Sequence, residues 1–191
     1  MKYILIRHGD TGVNVRDQKP MDDLSSEGTV QASSLAGRFQ YEKVGCALVS
    51  SPYQRALSTA RSIAQASGRE VEVDERLKEI PLWVSPDDLH DDSSEEYLSS
   101  LTIVTEAQKN VQQLLHELQT KHRGETVALV CHGNIIRAIL GFTLKMNLET
   151  VVRMAVHHTS ITVLEWVNED VSEPFYRLTR FNDTGHLDWR L

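Results

Sequence analysis

Cysteine is scarce in this chain. There are two, Cys46 and Cys131, at a spacing that suits neither a disulfide framework nor a metal-binding motif. Both fall within or at the end of apolar runs, where a small buried side chain is the ordinary role, and a reduced, cytoplasmic protein is expected. Long apolar stretches are missing too. None approaches the roughly 20 residues of a membrane span, and the first one runs into Arg7 too soon for the apolar core of a secretion signal. Basic charge is in deficit, with 20 Lys and Arg against 27 Asp and Glu and a formal net charge of −7. That balance argues against nucleic acid or an anionic membrane as a partner. No Pro- or Gly-rich linker, internal repeat or low-complexity stretch divides the 191 residues, so residues 1–191 read as one domain. A P-loop, a dinucleotide fingerprint and a serine-nucleophile elbow are all lacking.

Three junctions carry the information that is present. The apolar run Tyr3-Ile4-Leu5-Ile6 ends in Arg7-His8-Gly9, Val44–Val49 ends in Ser50-Ser51-Pro52-Tyr53-Gln54-Arg55, and Thr126–Val130 ends in Cys131-His132-Gly133-Asn134. Each reads as a buried strand that hands a His or an Arg to its C-terminal edge, where the crevice of an open α/β sheet lies. The full order predicts strands at 2–7, 44–50, 71–73 and 126–131, with helices at 26–40, 52–67, 94–121 and 134–145. A closing hairpin of 160–167 and 175–181 follows. This alternation implies a three-layer α/β/α fold with a mixed, mostly parallel sheet. Ser51 before Pro52 reads as an N-cap, and Ser93 with Glu96 has the form of a capping box. Leu98, Leu101, Ala107, Val111, Leu114, Leu115 and Leu118 form the apolar face of the long helix.

The chemistry these junctions suit is capture of a phosphate without a metal. Arg7 and Arg55 can hold phosphate oxygens in bidentate fashion, and the helix starts after Ser51 and His132 add N–H donors. Asn14 is a further neutral donor. An imidazole whose far nitrogen is fixed by a hydrogen bond can take a phosphoryl group, and on local sequence alone His8 and His132 share that role and the role of donor.

Arg7-His8-Gly9-Asp10-Thr11 with Asn14 resembles the signature of the histidine phosphatase superfamily, in its phosphoglycerate mutase-like branch. Leu24-Ser25-Ser26-Glu27-Gly28 with Gln31-Ala32, Ser50-Ser51-Pro52 with Arg55-Ala56 and Thr59-Ala60, and Val130-Cys131-His132-Gly133 with Ile136-Arg137 continue the resemblance over nearly the whole chain. It implies a phosphoglycerate mutase-like fold and a metal-independent phosphatase, without cofactor, that hydrolyses small phosphomonoesters through phosphorylated His8. Arg7, Arg55 and His132 would complete the phosphate pocket, with Gly133 beside it. The acid of the family follows a Leu-x-Glu pattern, here Leu77-Lys78-Glu79, which makes Glu79 the proton donor and leaves Glu72 and Glu75 as solvated surface. A mutase of the same fold and a non-catalytic phosphate-binding scaffold are the alternatives. Ile80 through Ala107 carries no Lys or Arg and six acidic residues before Glu106, which suits a mutase's second anionic group poorly.

Residues 80–97 are expected to pass over the crevice as a lid, with Trp83 and Tyr97 giving it aromatic surface and Asp87, Asp88, Asp91 and Asp92 giving it negative charge. Where many relatives read Asn-x-Ser-Ile-Thr, this chain has His158-Thr159-Ser160-Ile161-Thr162. His157 and His158 thereby become an extra pair near the site. Asp183 and His186 read as structural.

Overall fold

The computed structural model describes residues 1–41, 47–82, 93–169 and 171–187. Its strands are β1 (Lys2–Arg7), β2 (Ala47–Ser50), β3 (Val71–Val73), β4 (Thr126–Cys131), β5 (Ile161–Val167) and β6 (Phe175–Asp183). Its helices are α1 (Ser26–Tyr41), α2 (Gln54–Ser67), α3 (Glu95–Lys121), α4 (Gly133–Thr143) and the short α5 (Leu148–Val152). One sheet runs in the order β3-β2-β4-β1-β5-β6. β1 to β4 are mutually parallel, whereas β5 pairs antiparallel with both β1 and β6. The mixed, mostly parallel sheet expected from the sequence is present, and the hairpin supplies its antiparallel edge.

Alternation along β1 splits the core into two. Tyr3 and Leu5 point to one face, with Val127 and Leu129 of β4, and meet Val111, Leu114, Leu115 and Leu118 of α3 and Ile135, Ile139 and Leu140 of α4. Ile4 and Ile6 point the other way, with Ala128 and Val130, onto Leu35 and Phe39 of α1 and Ala56, Ala60 and Ile63 of α2. Strands buried on both faces have to be continuously apolar, which is why these runs stood out in the sequence. Among the described residues, no helix is long and apolar enough to cross a membrane.

Register decides what gathers at the functional edge. Arg7 lies beside Cys131 and Ser50 beside Val130, so β1, β2 and β4 end together. Because β5 runs the opposite way, its first residue, Ile161, pairs with Ile6. The turn that precedes β5 therefore arrives at the edge where the parallel strands leave. β6 ends there as well, with Asp183 opposite Ile161.

Three local expectations need correction. α2 begins at Gln54, and its N-cap is Tyr53 with no side-chain hydrogen bond. Ser51 lies too far ahead of that start to cap it, and its hydroxyl contacts His132 Nε2 at 2.8 Å and accepts the Tyr53 N–H at 3.3 Å. The cap of α3 is Ser94 rather than Ser93, and its Oγ accepts the Tyr97 N–H at 3.1 Å. Leu98 and Leu101 are exposed. The inward seam of α3 runs instead through Tyr97, Ser100, Val104, Ala107, Val111, Leu114 and Leu118, an alternation of three- and four-residue steps that places one stripe along a helix. Cys131 is buried and free, as expected, while Cys46 lies outside the described residues.

Candidate active site

The turn after β1 is shaped by the helix behind it. Gly9 and Gly28 face each other so closely that a Cβ on Gly28 would stand 2.0 Å from the Asp10 carbonyl oxygen, and one on Gly9 2.7 Å from the Gly28 oxygen. Gln31 Oε1 accepts the Asp10 N–H at 2.9 Å, and Ser25 Oγ bridges the Gly28 N–H and Asp10 Oδ2. The motif around Gly28 and Gln31 is thus the cradle of the Arg7-His8-Gly9-Asp10 turn. Gly28→Ala should destabilise the fold by about 3 kcal/mol or more, because backbone rather than a flexible side chain opposes the added methyl. Thermal unfolding of the purified variant checks this.

His8 is buried and its ring is pinned on both sides. Its Nδ1 lies 2.7 Å from the Gly9 carbonyl oxygen, and Arg55 Nε donates to its Nε2 at 3.2 Å. A carbonyl can only accept and a guanidinium can only donate. The proton therefore sits on Nδ1, and the lone pair on Nε2 faces the crevice residues. Burial, His132 and the Arg7 cation hold the ring well below the ordinary histidine pKa, so the imidazole is neutral and nucleophilic at neutral pH.

His132 enters from the end of β4, with its ring centroid 5.1 Å from that of His8. Its Nε2 meets Ser51 Oγ, which also accepts the Tyr53 N–H at 3.3 Å. The Tyr53 ring packs edge-on against His132 at 5.2 Å and lies under the Arg55 guanidinium at 5.1 Å. Arg55 also donates to the Lys19 carbonyl at 2.9 Å. Arg7 Nη1 donates to the Val156 carbonyl at 2.6 Å. Burial lowers Arg7 to about 10, which leaves it cationic at neutral pH. Gly133, the first residue of α4, lies against the Arg7 side chain, and a Cβ there would be 3.8 Å from Arg7 Nε.

Glu79 follows the 3-10 turn Glu75–Leu77. Burial raises its pKa to about 7 against the pull of the Ile80 N–H and of the Arg7 and Arg55 cations. This carboxyl is poised to give and take a proton near neutrality. Glu72 and Glu75 lie on the exposed surface.

Asn14 is not drawn into this group. It is exposed in the loop, where its Oδ1 accepts the Arg16 N–H at 3.0 Å. Residues 83–92, and with them most of the expected lid and its Asp87–Asp92 cluster, lie outside the described residues. Asp183 is structural, pairing with Arg38 at 2.7 Å.

Two further residues belong to this neighbourhood, Asn134, which the sequence did not single out, and His158, which it offered only as one of a pair with His157. Asn134 Nδ2 donates to the Ile80 and Leu82 carbonyls at 3.1 and 3.4 Å, and its Oδ1 accepts from Arg137 at 2.7 Å. It ties the chain after Glu79 to the start of α4. With Glu79 as the proton donor that the resemblance implies, Asn134→Ala should slow an alkyl phosphate about tenfold more than an aryl phosphate, because misplacing that donor matters most for a poor leaving group. Paired kcat measurements on the two esters test this. His158 is the second: its ring lies 5.5 Å from that of His8, while His157 points outward and is exposed.

Three buried polar atoms around His8 have no hydrogen-bond partner among the described residues: Arg7 Nε, His132 Nδ1 and His158 Nε2. Orphaned groups of this kind are costly and cluster where a ligand completes them. The sequence profile of the histidine phosphatase superfamily (branch 1) matches residues 3–179. The chain belongs to that superfamily. Among curated members it is 29% identical to phosphoserine phosphatase 1 of Hydrogenobacter thermophilus over 205 residues, covering 98% of this chain and 94% of the relative. It is 28% identical to a 2,3-bisphosphoglycerate-dependent phosphoglycerate mutase of Thermoplasma acidophilum over 173 residues, covering 85% of this chain and 86% of that one. A solved structure with a like fold is that of a phosphoserine phosphatase variant of Entamoeba histolytica in complex with phosphoserine. It superposes with a TM-score of 0.76 at 27% identity, covering 97% of this chain and 98% of that chain.

Proposed function

We propose that this histidine phosphatase hydrolyses small phosphomonoesters without a metal, by way of a phosphohistidine on His8 Nε2. The observation that carries the reading is the pinned ring of His8, with its Nε2 lone pair directed among Arg7, Arg55 and His132. Arg7 Nε and His132 Nδ1 hold phosphoryl oxygens. Arg55 passes its Nε–H from His8 to an oxygen as the lone pair engages phosphorus. The P–O ester bond breaks as the P–N bond forms, and Glu79 gives its proton to the departing alkoxide. Water then attacks phosphorus, Glu79 takes a proton from it, and the P–N electrons return to Nε2 as inorganic phosphate leaves.

The names of the relatives put phosphoserine first among substrates to try. The mutase relative keeps transfer to a second hydroxyl in view, but the acidic, Lys- and Arg-free stretch from Ile80 to Ala107 disfavours a substrate with a second phosphate. The test is phosphate release from phosphoserine, sugar phosphates, nucleotides and 2,3-bisphosphoglycerate, each with and without EDTA. Monophosphates should be hydrolysed equally well in both conditions. Preference for the bisphosphate, with transfer to 3-phosphoglycerate, would establish the mutase instead. Loss of activity in EDTA that a divalent ion restores would replace the metal-free mechanism.

A further inference from the structure

The ring of His158 is held in place by more backbone contacts than a surface turn needs. The Thr159 N–H lies 3.0 Å from the Arg7 carbonyl and 3.3 Å from that of His8, so the turn is docked on the nucleophile's own backbone. Thr159 adopts φ 54°, a left-handed conformation uncommon for a β-branched residue. His186 Nε2 contacts Thr159 Oγ1 at 3.0 Å, and Asn182 Oδ1 accepts the His157 N–H at 2.8 Å. Two segments from the end of the hairpin therefore brace a strained turn whose product is the position of one imidazole.

That imidazole has two different ends. Nδ1 lies 3.7 Å from Asp10 Oδ1, while Nε2 is buried and has no hydrogen-bond partner among the described residues. Asp10 does not depend on the histidine, since Ser25 Oγ and the Gly12 N–H already bind its Oδ2 at 2.6 and 2.8 Å. Arg7 faces the ring with positive charge, Asp10 faces it with negative charge and His8 faces it as a neutral ring, while the adjoining His157 is exposed.

We propose that His158 is a phosphate-contacting residue, its Nε2 sharing one proton with an oxygen of the bound phosphoryl group while Asp10 steadies the ring from the Nδ1 side. The inference rests on the phosphatase reading above. The shared proton arrives with a phosphate monoanion, or is taken from solvent when the dianion binds. Tight binding therefore needs one proton more than a pocket built only of guanidinium and amide donors, and affinity weakens as pH rises. An amide at this position would donate Nδ2–H without titrating. Glu79, with its pKa near 7, adds its own loss of affinity at high pH, but equally in wild type and in a His158 variant.

The probe is inorganic phosphate, whose binding is measured by calorimetry from pH 6 to 8 on wild type, His158→Asn and His158→Ala, with unfolding temperatures as a control on folding. His158→Ala should bind phosphate about tenfold more weakly at pH 6, the loss expected for one charge-assisted hydrogen bond. His158→Asn should recover part of that affinity and show a flatter pH dependence than wild type. Variants that fold like wild type and match its affinity and pH slope would overturn the role of His158 while leaving the phosphatase reading standing. Wild-type protein that neither binds phosphate nor releases it from any ester would overturn both.

Discussion

His8→Ala is expected to abolish turnover, with kcat lower by about four orders of magnitude or more, the scale on which loss of a covalent nucleophile is felt. Incubation of wild type with a radiolabelled phosphomonoester and rapid quenching should give an acid-labile protein label, and the variant should give none. The ring is buried, so its removal also leaves a cavity and frees the Gly9 carbonyl and Arg55 Nε. A fall in unfolding temperature will accompany the loss of activity. His8→Asn separates the two effects. It keeps a donor and an acceptor in nearly the same space but has no nucleophilic nitrogen, so it should be more stable than the alanine variant and equally inactive. Label persisting in either variant would move the nucleophile to His132 or His158, whose rings lie within 6 Å of that of His8.

The junctions around His8 were legible because their signal is local. An apolar run followed by Arg-His-Gly or Cys-His-Gly announces a strand end and its chemistry within ten residues. Parallel pairing of β1 with β4 then brings Arg7 beside Cys131 without further information. Burial on both faces made the central strands conspicuous, and Leu-x-Glu marked Glu79. What escaped depends on partners far away in sequence. Ser51 beside Pro52 looks like a cap, but the helix begins later, at Gln54, and the hydroxyl meets His132, 81 residues on. Asn134 acts on the backbone carbonyls of Ile80 and Leu82, groups that leave no mark on side-chain pattern. α5 has five residues, too few to display a period. His158 was visible as one of a pair. Which of the two turns inward follows from the antiparallel entry of β5 and from Asn182, 25 residues beyond His157. Asn14 shows the converse, since its place in a motif does not bury it, and it stands exposed in the loop.

Glu79→Gln should slow an alkyl phosphate by about a hundredfold or more, within the range of general acid catalysis, and slow p-nitrophenyl phosphate far less in the phosphorylation step. A phenolate of low basicity departs without a proton, whereas an alkoxide does not. Equal slowing of both esters would make Glu79 a binding residue, and no slowing would remove it from the mechanism. Its pKa, raised to about 7 chiefly by burial, gives two pH signatures that an exposed carboxylate would lack. The first is kinetic. Phosphorylation of His8 needs the protonated acid and falls as pH rises through 7, while hydrolysis of the phosphohistidine needs the carboxylate and falls as pH drops through the same value. The Gln variant should lose both dependences. The second is thermodynamic. A carboxyl whose folded-state pKa lies above its unfolded value of 4.5 binds its proton more tightly when folded. Stability therefore declines as pH rises from about 4.5 towards 7, and the full penalty is present above 7. Glu79→Gln never carries that charge, so it should unfold at a higher temperature than wild type at pH 8 and show a much smaller difference at pH 4, as the acid is relieved of an ionised state that the pocket disfavours until substrate chemistry requires it.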